Sequence, residues 1–185
     1  MRSASYITEP SAETKSAEWL ARVRESVAPR PELQLDPKRA ALLVIDMLRY
    51  FTAPEGRCFL PAAPVAAGRI ALLLAAWRSF GGTIIFTRHA HEGPDDLGML
   101  GRFFDDYIHS GEPDSEIIEL LRPGREEPVL RKTTYDAFIG TPLQEILDDS
   151  SIKQVVVTGV LTHMCCETTA RSAFCRGFEV FNAVV

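Results

Sequence analysis

The C-terminal segment of the chain combines strand and helix signals in an order that few folds can accommodate. Two apolar, β-branched runs flank a longer stretch whose apolar residues recur at helical spacing. These three stretches are residues 154–158, 179–185 and 162–176, with Gly159 and Gly177 as separators. Short apolar runs bounded by turn residues are typical of buried strands, and a glycine after a periodic stretch ends a helix. The order strand, turn, helix, strand predicts a βαβ unit of a parallel sheet.

Two adjacent cysteines, Cys165 and Cys166, fall in the first turn of the predicted helix. Thr162 is placed to cap that helix, with its hydroxyl accepting a hydrogen bond from the amide of Cys165. A thiol in this position lies at the positive end of the helix dipole, which favours the thiolate. Ligand sites of open α/β sheets lie at the carboxyl ends of strands, and this turn is at such an end. Cys165 is therefore a candidate nucleophile, whereas Cys166 is predicted to be a core residue.

The rest of the chain repeats this alternation. Strands are predicted at residues 40–45, 83–87 and 128–132, and helices at residues 15–27, 65–80, 115–121 and 141–147. Such alternation predicts an α/β fold with a doubly wound, Rossmann-like, mainly parallel sheet and helices on both faces. The long segments 47–63 and 88–112 lie between these elements, and long loops in compact domains are usually functional. We expect these two segments to decide the substrate.

The composition excludes several classes of partner. The 185 residues carry 20 Lys and Arg against 25 Asp and Glu, for a net charge of −5, and no basic stripe, so no nucleic acid is expected. No apolar run is long enough to span a membrane. The four cysteines form no CxxC pair, which argues against a disulfide scaffold or a zinc site. These features predict a reduced, cytoplasmic protein that acts on a small molecule.

Three chemically reactive side chains lie at the ends of predicted strands or just after them: Asp46, Lys132 and Cys165. A parallel sheet brings the carboxyl ends of its strands to one edge, so these residues can meet although they are far apart in sequence. The carboxylate could take the proton of the thiol and return it to a leaving group. The thiolate could then attack a carbonyl carbon, and the ammonium would favour the thiolate.

The motifs around these residues resemble those of the isochorismatase-like cysteine hydrolases. They read VIDM with Asp46, LRKTTYDAFIGTPL with Lys132 and VVVTGVLTHMCCETTARSAFCRGF with Cys165, and the resemblance covers residues 40–185. It implies a parallel sheet of about six strands and an Asp–Lys–Cys triad. In that triad Asp46 is the general base, Lys132 the charge partner and Cys165 the nucleophile.

The same resemblance implies a particular turn before the cysteine. A non-proline cis peptide is expected between Val160 and Leu161. The backbone amides of Leu161 and Cys165 are then expected to form an oxyanion hole, in which fixed N–H groups stabilise the negative oxygen of the transition state.

The hydrolase domain is expected to span residues 37–185, preceded by an arm and a short amphipathic helix within residues 1–36. One face of that helix is apolar, with Trp19, Leu20, Val23 and Val27. Such a face needs cover, and the resemblance implies dimers or tetramers, so we expect a homo-oligomer. Because the chain ends on an apolar strand, we also expect a natural domain of this type to continue beyond its last residue.

The chain departs from two branches of this family. Nicotinamidases carry an Asp/His metal cluster, but here no histidine lies between Asp46 and His89. The incomplete cluster ranks nicotinamidase lower, and we expect neither a metal nor another cofactor; His89 and His91 are predicted to take surface or hydrogen-bonded roles. True isochorismatases share the pattern at His163 but often lack the cysteine. The presence of Cys165 therefore favours hydrolysis of an amide or ureide bond.

Two alternatives stay open from the sequence. One is an isochorismatase-type vinyl-ether hydrolase, in which Asp46 is the acid and the cysteine is idle. The other is a thiol redox or regulatory protein that uses Cys165 and Cys166, although it would leave Asp46 and Lys132 unexplained.

Four further side chains are candidates for substrate binding: Phe51, Arg88, Tyr135 and Phe138. Arg88 is proposed for a substrate carboxylate, and the three aromatic residues for the walls of the pocket.

Overall fold

A computed structural model describes residues 6–27 and 33–183, and within these ranges five strands form one parallel sheet. The strands are β1 (Ala40–Ile45), β2 (Thr83–His89), β3 (Val129–Lys132), β4 (Gln154–Gly159) and β5 (Glu179–Asn182). Their order across the sheet is β3-β2-β1-β4-β5, and every neighbouring pair is parallel. The predicted doubly wound parallel fold is confirmed, with five strands among the described residues rather than about six.

Five α-helices accompany the sheet in the described part of the chain. They are α1 (Glu9–Ser26), α2 (Arg49–Thr52), α3 (Ala63–Ser79), α4 (Leu143–Asp149) and α5 (Glu167–Cys175). Helix α1 begins earlier than predicted, because Thr8 and Ser11 form a capping box and Pro10 occupies the first turn. Of the arm predicted over residues 1–14, residues 9–14 are therefore helical, residues 6–8 precede the helix, and residues 1–5 lie outside the described residues.

The helix predicted over residues 115–121 is wrong. The structure has two 3₁₀ turns there, Pro113–Ser115 and Glu119–Leu121, joined by extended backbone. The extended part pairs with the segment after β1: the amide of Arg49 donates to the carbonyl of Glu116 at 2.9 Å, and the amide of Ile118 donates to that of Met47 at 3.1 Å. These long-range backbone hydrogen bonds replace those that a local helix would make.

Both faces of the sheet are covered, as expected when crossovers place helices on either side. All six residues of β1 are buried, and alternate side chains enter opposite cores. On one face they meet α4 and α5, and this core includes Ala41, Leu43, Ile45, Leu143, Leu147, Ala170 and Ala173. On the other face they meet α3, and that core includes Leu42, Val44, Ala67, Ile70, Leu74 and Trp77. β1 is thus the rigid centre of the molecule.

Strands β1 and β4 end level with each other at the carboxyl edge, and so do β2 and β3. Ile45 lies opposite Gly159, and His89 lies opposite Lys132. Gly159 has a φ of +114°, and a Cβ atom there would lie 2.0 Å from the carbonyl oxygen of Ile45. Only glycine allows this close approach. The segments that follow β1, β2, β3 and β4 consequently meet at one edge.

None of the helices in the described ranges is both long and apolar enough to cross a membrane.

Candidate active site

The structure brings Asp46, Lys132 and Cys165 together at the carboxyl edge. The Nζ atom of Lys132 lies 2.7 Å from Oδ2 of Asp46 and donates a hydrogen bond to Sγ of Cys165 at 3.3 Å. All three residues are buried. Each comes from a different strand or turn, and the shared carboxyl edge of the parallel sheet brings them into contact.

Asp46 is fixed by the neighbouring strand. It follows β1 directly and has a positive φ of 49°, which turns the chain away from the sheet. Its Oδ1 accepts hydrogen bonds from the hydroxyl of Thr87 at 2.7 Å and from the amide of His89 at 3.0 Å. Because Oδ1 is held in this way, Oδ2 is left to face Lys132.

Charge and burial decide the protonation states of the three groups. Burial alone would raise the pKa of Asp46, but the ammonium of Lys132 outweighs it and holds that pKa below its usual range. Burial would likewise lower the pKa of Lys132, but Asp46 and Cys165 raise it. Burial, and then the charge of Asp46, raise the pKa of Cys165 to about 12 against the opposing effect of Lys132. At neutral pH the site therefore holds a carboxylate, an ammonium and a thiol.

The turn that carries Cys165 differs from the predicted helix start. Residues Thr162–Cys166 form a π-helical turn, and α5 begins only at Glu167. Leu161 is the residue before the turn, and no side chain caps it. The amide of Cys166 donates to the carbonyl of Leu161 at 3.2 Å, and this wider turn places Thr162 inside it rather than at its cap. The predicted cap by Thr162 is wrong.

The peptide bond between Val160 and Leu161 is cis, as the resemblance implies. Across the described ranges, the amide of Leu161 has no hydrogen-bond partner. An unpaired N–H beside the thiol is what an oxyanion hole requires. The assignment of this hole to the amides of Leu161 and Cys165 stays a prediction.

A cavity of about 150 Å³ opens onto Cys165. Its walls are mainly aromatic and aliphatic. They come from the end of β2, from the segments after β1, β2 and β3, and from the turn. The lining residues are Tyr50, Phe51, Cys58, His89, His91, Leu97, Leu100, Gly101, Phe104, Asp106, Tyr107, Ile108, Tyr135, Leu161, Met164 and Cys165. Asp46 and Lys132 lie behind the thiol rather than in this wall. Of the three, only Cys165 lines the cavity.

Of the four side chains predicted to bind substrate, Phe51 and Tyr135 line this cavity, and Arg88 and Phe138 do not. Successive residues of a strand point to opposite faces, and Thr87 and His89 take the positions on the side of Asp46. Arg88 is therefore directed away. Phe138 belongs to the core, where its ring stacks on Phe178 with centroids 6.3 Å apart.

A larger groove of about 1210 Å³ lies between α3, α5 and the end of β5. It contains Cys166 but none of Asp46, Lys132 and Cys165. This groove is larger than the cavity at Cys165, but the thiol of Cys165 lines only the smaller cavity. We therefore treat the smaller cavity as the candidate active site.

His89 is the member of the site that sequence reasoning placed outside it. Its Nδ1 lies 3.3 Å from Nζ of Lys132, and its Nε2 lies 3.0 Å from Nε2 of His91. Burial and the Lys132 ammonium lower the pKa of His89 to about 4, so the ring is neutral at neutral pH. The sequence does contain a signal for this placement: His89 and His91 are two residues apart at the end of β2, so both side chains point to the face of Asp46.

Three possible metal-ligating atoms, from Asp46, His89 and Cys165, lie within 4.8 Å of one another. Carboxylate, imidazole and thiolate are ligand types that Zn²⁺ accepts. The ammonium of Lys132, however, is within 3.3 Å of an atom of each of the three side chains. The Lys132 ammonium thus lies next to all three donor side chains.

The chain matches the isochorismatase domain model over residues 40–184. It is 43% identical to Nicotinamidase 3 of Arabidopsis thaliana over 148 residues, which are 78% of this chain and 70% of that protein. It is 31% identical to enterobactin synthase component B of Escherichia coli K12, where the match covers 79% of this chain but only 51% of the relative.

Solved structures give the same grouping. A cysteine hydrolase from Pseudomonas syringae pv. phaseolicola 1448A superposes with a TM-score of 0.80 at 29% identity, over 84% of this chain and 75% of that one. N-carbamoylsarcosine amidase from Thermoplasma acidophilum superposes with a TM-score of 0.72 at 29% identity, over 78% and 81%. With the matched domain and the site described above, these likenesses identify the chain as a hydrolase of the isochorismatase family.

Proposed function

We propose that the protein is a cysteine-dependent amidohydrolase that cleaves a small, uncharged, flat amide or ureide through Asp46, Lys132 and Cys165. The observation that carries this proposal is the arrangement of a thiol at the wall of a small apolar cavity with a buried carboxylate–ammonium pair directly behind it. A nucleophile that faces the substrate, with a base close enough to take its proton, is the geometry that acyl transfer needs.

In the first half of the reaction, Asp46 takes the proton of the Cys165 thiol while Sγ forms a bond to the carbonyl carbon. The carbonyl oxygen becomes negative and accepts hydrogen bonds from the proposed oxyanion-hole amides of Leu161 and Cys165. The protonated Asp46 then gives its proton to the departing nitrogen, and the C–N bond breaks. The products of this half are ammonia or an amine and a thioester on Cys165.

In the second half, water attacks the thioester carbonyl and gives a proton to Asp46. The C–S bond then breaks, the carboxylic acid product leaves, and the proton returns from Asp46 to Sγ. Lys132 keeps its proton throughout. Its role is to keep Asp46 ionised at rest and to stabilise the thiolate whenever one forms, because it contacts both groups.

The cavity supports a small, flat and uncharged substrate. Its volume of about 150 Å³ is below the roughly 300 Å³ at which sites for drug-sized ligands begin. Aromatic rings dominate its walls, with Tyr50, Phe51, Phe104, Tyr107 and Tyr135. No lysine or arginine lines the cavity among the described residues, so a substrate with several carboxylates would lack a cationic partner. This favours an uncharged amide over isochorismate.

The 43% identity to Nicotinamidase 3 supports an aromatic carboxamide as the first compound to test. The incomplete metal cluster placed nicotinamidase lower from sequence alone. Nicotinamide is nevertheless included among the compounds to test, because of this identity.

The vinyl-ether alternative draws support from the 31% identity to the isochorismatase of Bacillus subtilis strain 168. In that reaction Asp46 would act as the acid and Cys165 would be idle. The redox alternative has less support, because Cys166 faces the larger groove while Cys165 faces the smaller cavity. Iodoacetamide separates the two hydrolases: it should abolish amide hydrolysis and spare vinyl-ether hydrolysis.

The proposal is tested with a panel of nicotinamide, other small amides, ureides and isochorismate. We expect hydrolysis of at least one amide or ureide, and Cys165→Ala should lower kcat by about 10⁴-fold or more, since the nucleophile is lost. Cys166→Ala is the matched control, because Cys166 lies one residue away and outside the cavity; it should keep most of the activity. Full activity in Cys165→Ala would overturn the thiol mechanism.

A further inference from the structure

We propose that His91 is a positioning residue: it fixes the tautomer of His89, and thereby makes Nδ1 of His89 the acceptor that holds the Lys132 ammonium in the catalytic site. The inference rests on the proposed function, because it assigns a role to the surroundings of the proposed triad. It concerns a chain of hydrogen bonds that leads from Lys132 through the two histidines to Asp96.

At the outer end of this series of hydrogen bonds, the oxygen atoms of Asp96 determine which nitrogen of His91 donates. Nδ1 of His91 lies 3.1 Å from the backbone carbonyl oxygen of Asp96 and 3.2 Å from Oδ1 of the same residue. Both oxygens can only accept when the carboxyl is ionised, so Nδ1 of His91 must carry the hydrogen. The carboxylate is held by Arg131, whose Nη1 donates to Oδ2 at 2.9 Å, and by the amide of Glu92 at 3.1 Å.

The inner end is compatible with this direction. Nδ1 of His89 lies 3.3 Å from the Lys132 ammonium, which has three donors and no acceptor, so this atom can accept from it alongside Asp46, Cys165 and the carbonyl of Thr134. A neutral His89 then carries its hydrogen on Nε2 and donates to Nε2 of His91 at 3.0 Å. In the opposite tautomer, the N–H of Nδ1 would point toward the Lys132 ammonium, and His89 could no longer accept a hydrogen bond from it.

The histidine pair is enclosed, so few other groups can supply these hydrogen bonds. His91 is 1% exposed, and its ring packs edge-on against Tyr107 with centroids 6.0 Å apart. The charged and titratable groups that face the pair from the surrounding elements are Asp46, Lys132, Cys165, Asp96, Tyr107, and, through Asp96, Arg131 and Glu92.

The tautomer of His89 affects the thiol of Cys165 through the ammonium of Lys132. The ammonium lies 3.3 Å from Sγ of Cys165 and opposes the effects of burial and Asp46 on the pKa of that thiol. If His89 takes the wrong tautomer, the ammonium is repelled and stabilises the thiolate less. The thiol should then react only at higher pH, although neither histidine takes part in bond making.

Two variants of His91 separate this role from a packing role. His91→Leu removes both ring nitrogens, whereas His91→Gln keeps an amide oxygen that can accept from Nε2 of His89. The readout is the alkylation of Cys165 by iodoacetamide from acid to alkaline pH, followed on the Cys165 peptide by mass spectrometry. Cys175 is exposed and distant from the cavity, so its alkylation in the same tube is the internal control.

We expect the profile of Cys165 in His91→Leu to move to higher pH by about one unit, which is about tenfold slower alkylation on its acid side. His91→Gln should restore most of the parent profile, and Cys175 should not change in either variant. A profile for His91→Leu that overlays the parent would overturn the proposal, and so would an equal shift in both variants. This readout needs no substrate, so it stays valid even if the proposed amide hydrolysis fails.

The parent protein alone gives a second test that does not depend on the folding of a variant. Nitrogen NMR of histidine-labelled protein at neutral pH reports which ring nitrogen carries hydrogen. We expect His89 to be protonated on Nε2 and His91 on Nδ1. A His89 ring protonated on Nδ1 would overturn the proposal.

Discussion

At the residue scale, the charge states of Asp46 and Cys165 depend on Lys132. Its buried ammonium lies against Asp46, donates to Cys165 and also donates to the carbonyl of Thr134 at 2.9 Å. The sequence predicted that Asp46, Lys132 and Cys165 would meet, because each lies at or after the end of a strand and matches a motif. The sequence did not predict the place of His89 in the site, because that contact exists only when β2 pairs with β3 through its last residue.

Replacing Lys132 by Met keeps the length of the side chain and removes its charge. The Asp46–Cys165 pair should then hold its proton more tightly, because the charge that favours both anions is gone. The alkylation profile of Cys165 should move to higher pH than in the parent. Overlaying profiles would mean that Lys132 does not tune the thiol, and its place in the triad would have to be withdrawn.

The same variant should change stability in a pH-dependent way. In the parent the pKa of Asp46 is below its unfolded value near 3.8, so its contribution to stability is present above that pH and lost as the pH falls through the folded pKa. Without Lys132, burial raises that pKa, so the contribution is present in acid and lost as the pH rises.

Urea unfolding should therefore show a loss of about 3–5 kcal/mol for Lys132→Met at neutral pH, because a buried carboxylate loses its partner. The difference from the parent should shrink at acid pH. Lys153→Met is the control, since Lys153 is exposed, and should change little at either pH. A pH-independent difference between Lys132→Met and the parent would contradict the assignment of an ionised Asp46.

Removal of divalent metal ions should leave the activity of the site unchanged. The Asp/His cluster expected of a metal site is incomplete around His89 and His91, so we expect amide hydrolysis to survive exhaustive treatment with a chelator. The measurement is the rate before and after treatment, with divalent metal added back. Loss of activity that a divalent metal restores would contradict the expectation and give the histidines a ligand role.

At the element scale, the ends of the strands are what the fold contributes to the site. The predicted bounds of β1 agree with the structure, because its continuous apolar run is the part of the chain that is buried on both faces of the sheet. The π-helical turn and the two 3₁₀ turns were not predicted, because long-range and wide-turn hydrogen bonds leave no periodic signal in the local sequence.

Gly159→Ala tests the contact between β4 and β1 that holds the strand ends level. A Cβ atom would meet the backbone of Ile45 at 2.0 Å in a conformation that favours glycine, so we expect a loss of about 3 kcal/mol or more in the free energy of unfolding. Gly177→Ala is the matched control, with a φ of +89° and open space around the new Cβ. It should cost only about 1–2 kcal/mol. Equal losses in the two variants would contradict the close approach.

At the scale of the whole molecule, helix α1 leaves apolar side chains exposed. Trp19 packs onto the small core formed by Ile7, Ala12 and Val65, whereas Leu20 and Val23 on the same helix are exposed. Exposed apolar residues on a helix that is otherwise polar favour an interface between copies of the chain.

We therefore predict a dimer or tetramer of the 20.5 kDa chain, measured by light scattering at micromolar concentration. Replacing Leu20 and Val23 together by Glu should lower the mass to that of the monomer, because charges would then face each other across the interface. Leu72→Glu, on another exposed surface, is the control and should leave the mass unchanged. A monomeric parent would contradict the prediction.

The central claim is that Cys165 forms a covalent bond to the acyl group of an amide. The most direct measurement is mass spectrometry of the protein quenched with acid during turnover of the best substrate of the panel. We expect a fraction of the parent to gain the mass of the acyl group on the Cys165 peptide, and Cys165→Ala to gain none while Cys166→Ala behaves as the parent. Turnover without any adduct on Cys165, together with full activity in Cys165→Ala, would contradict the account.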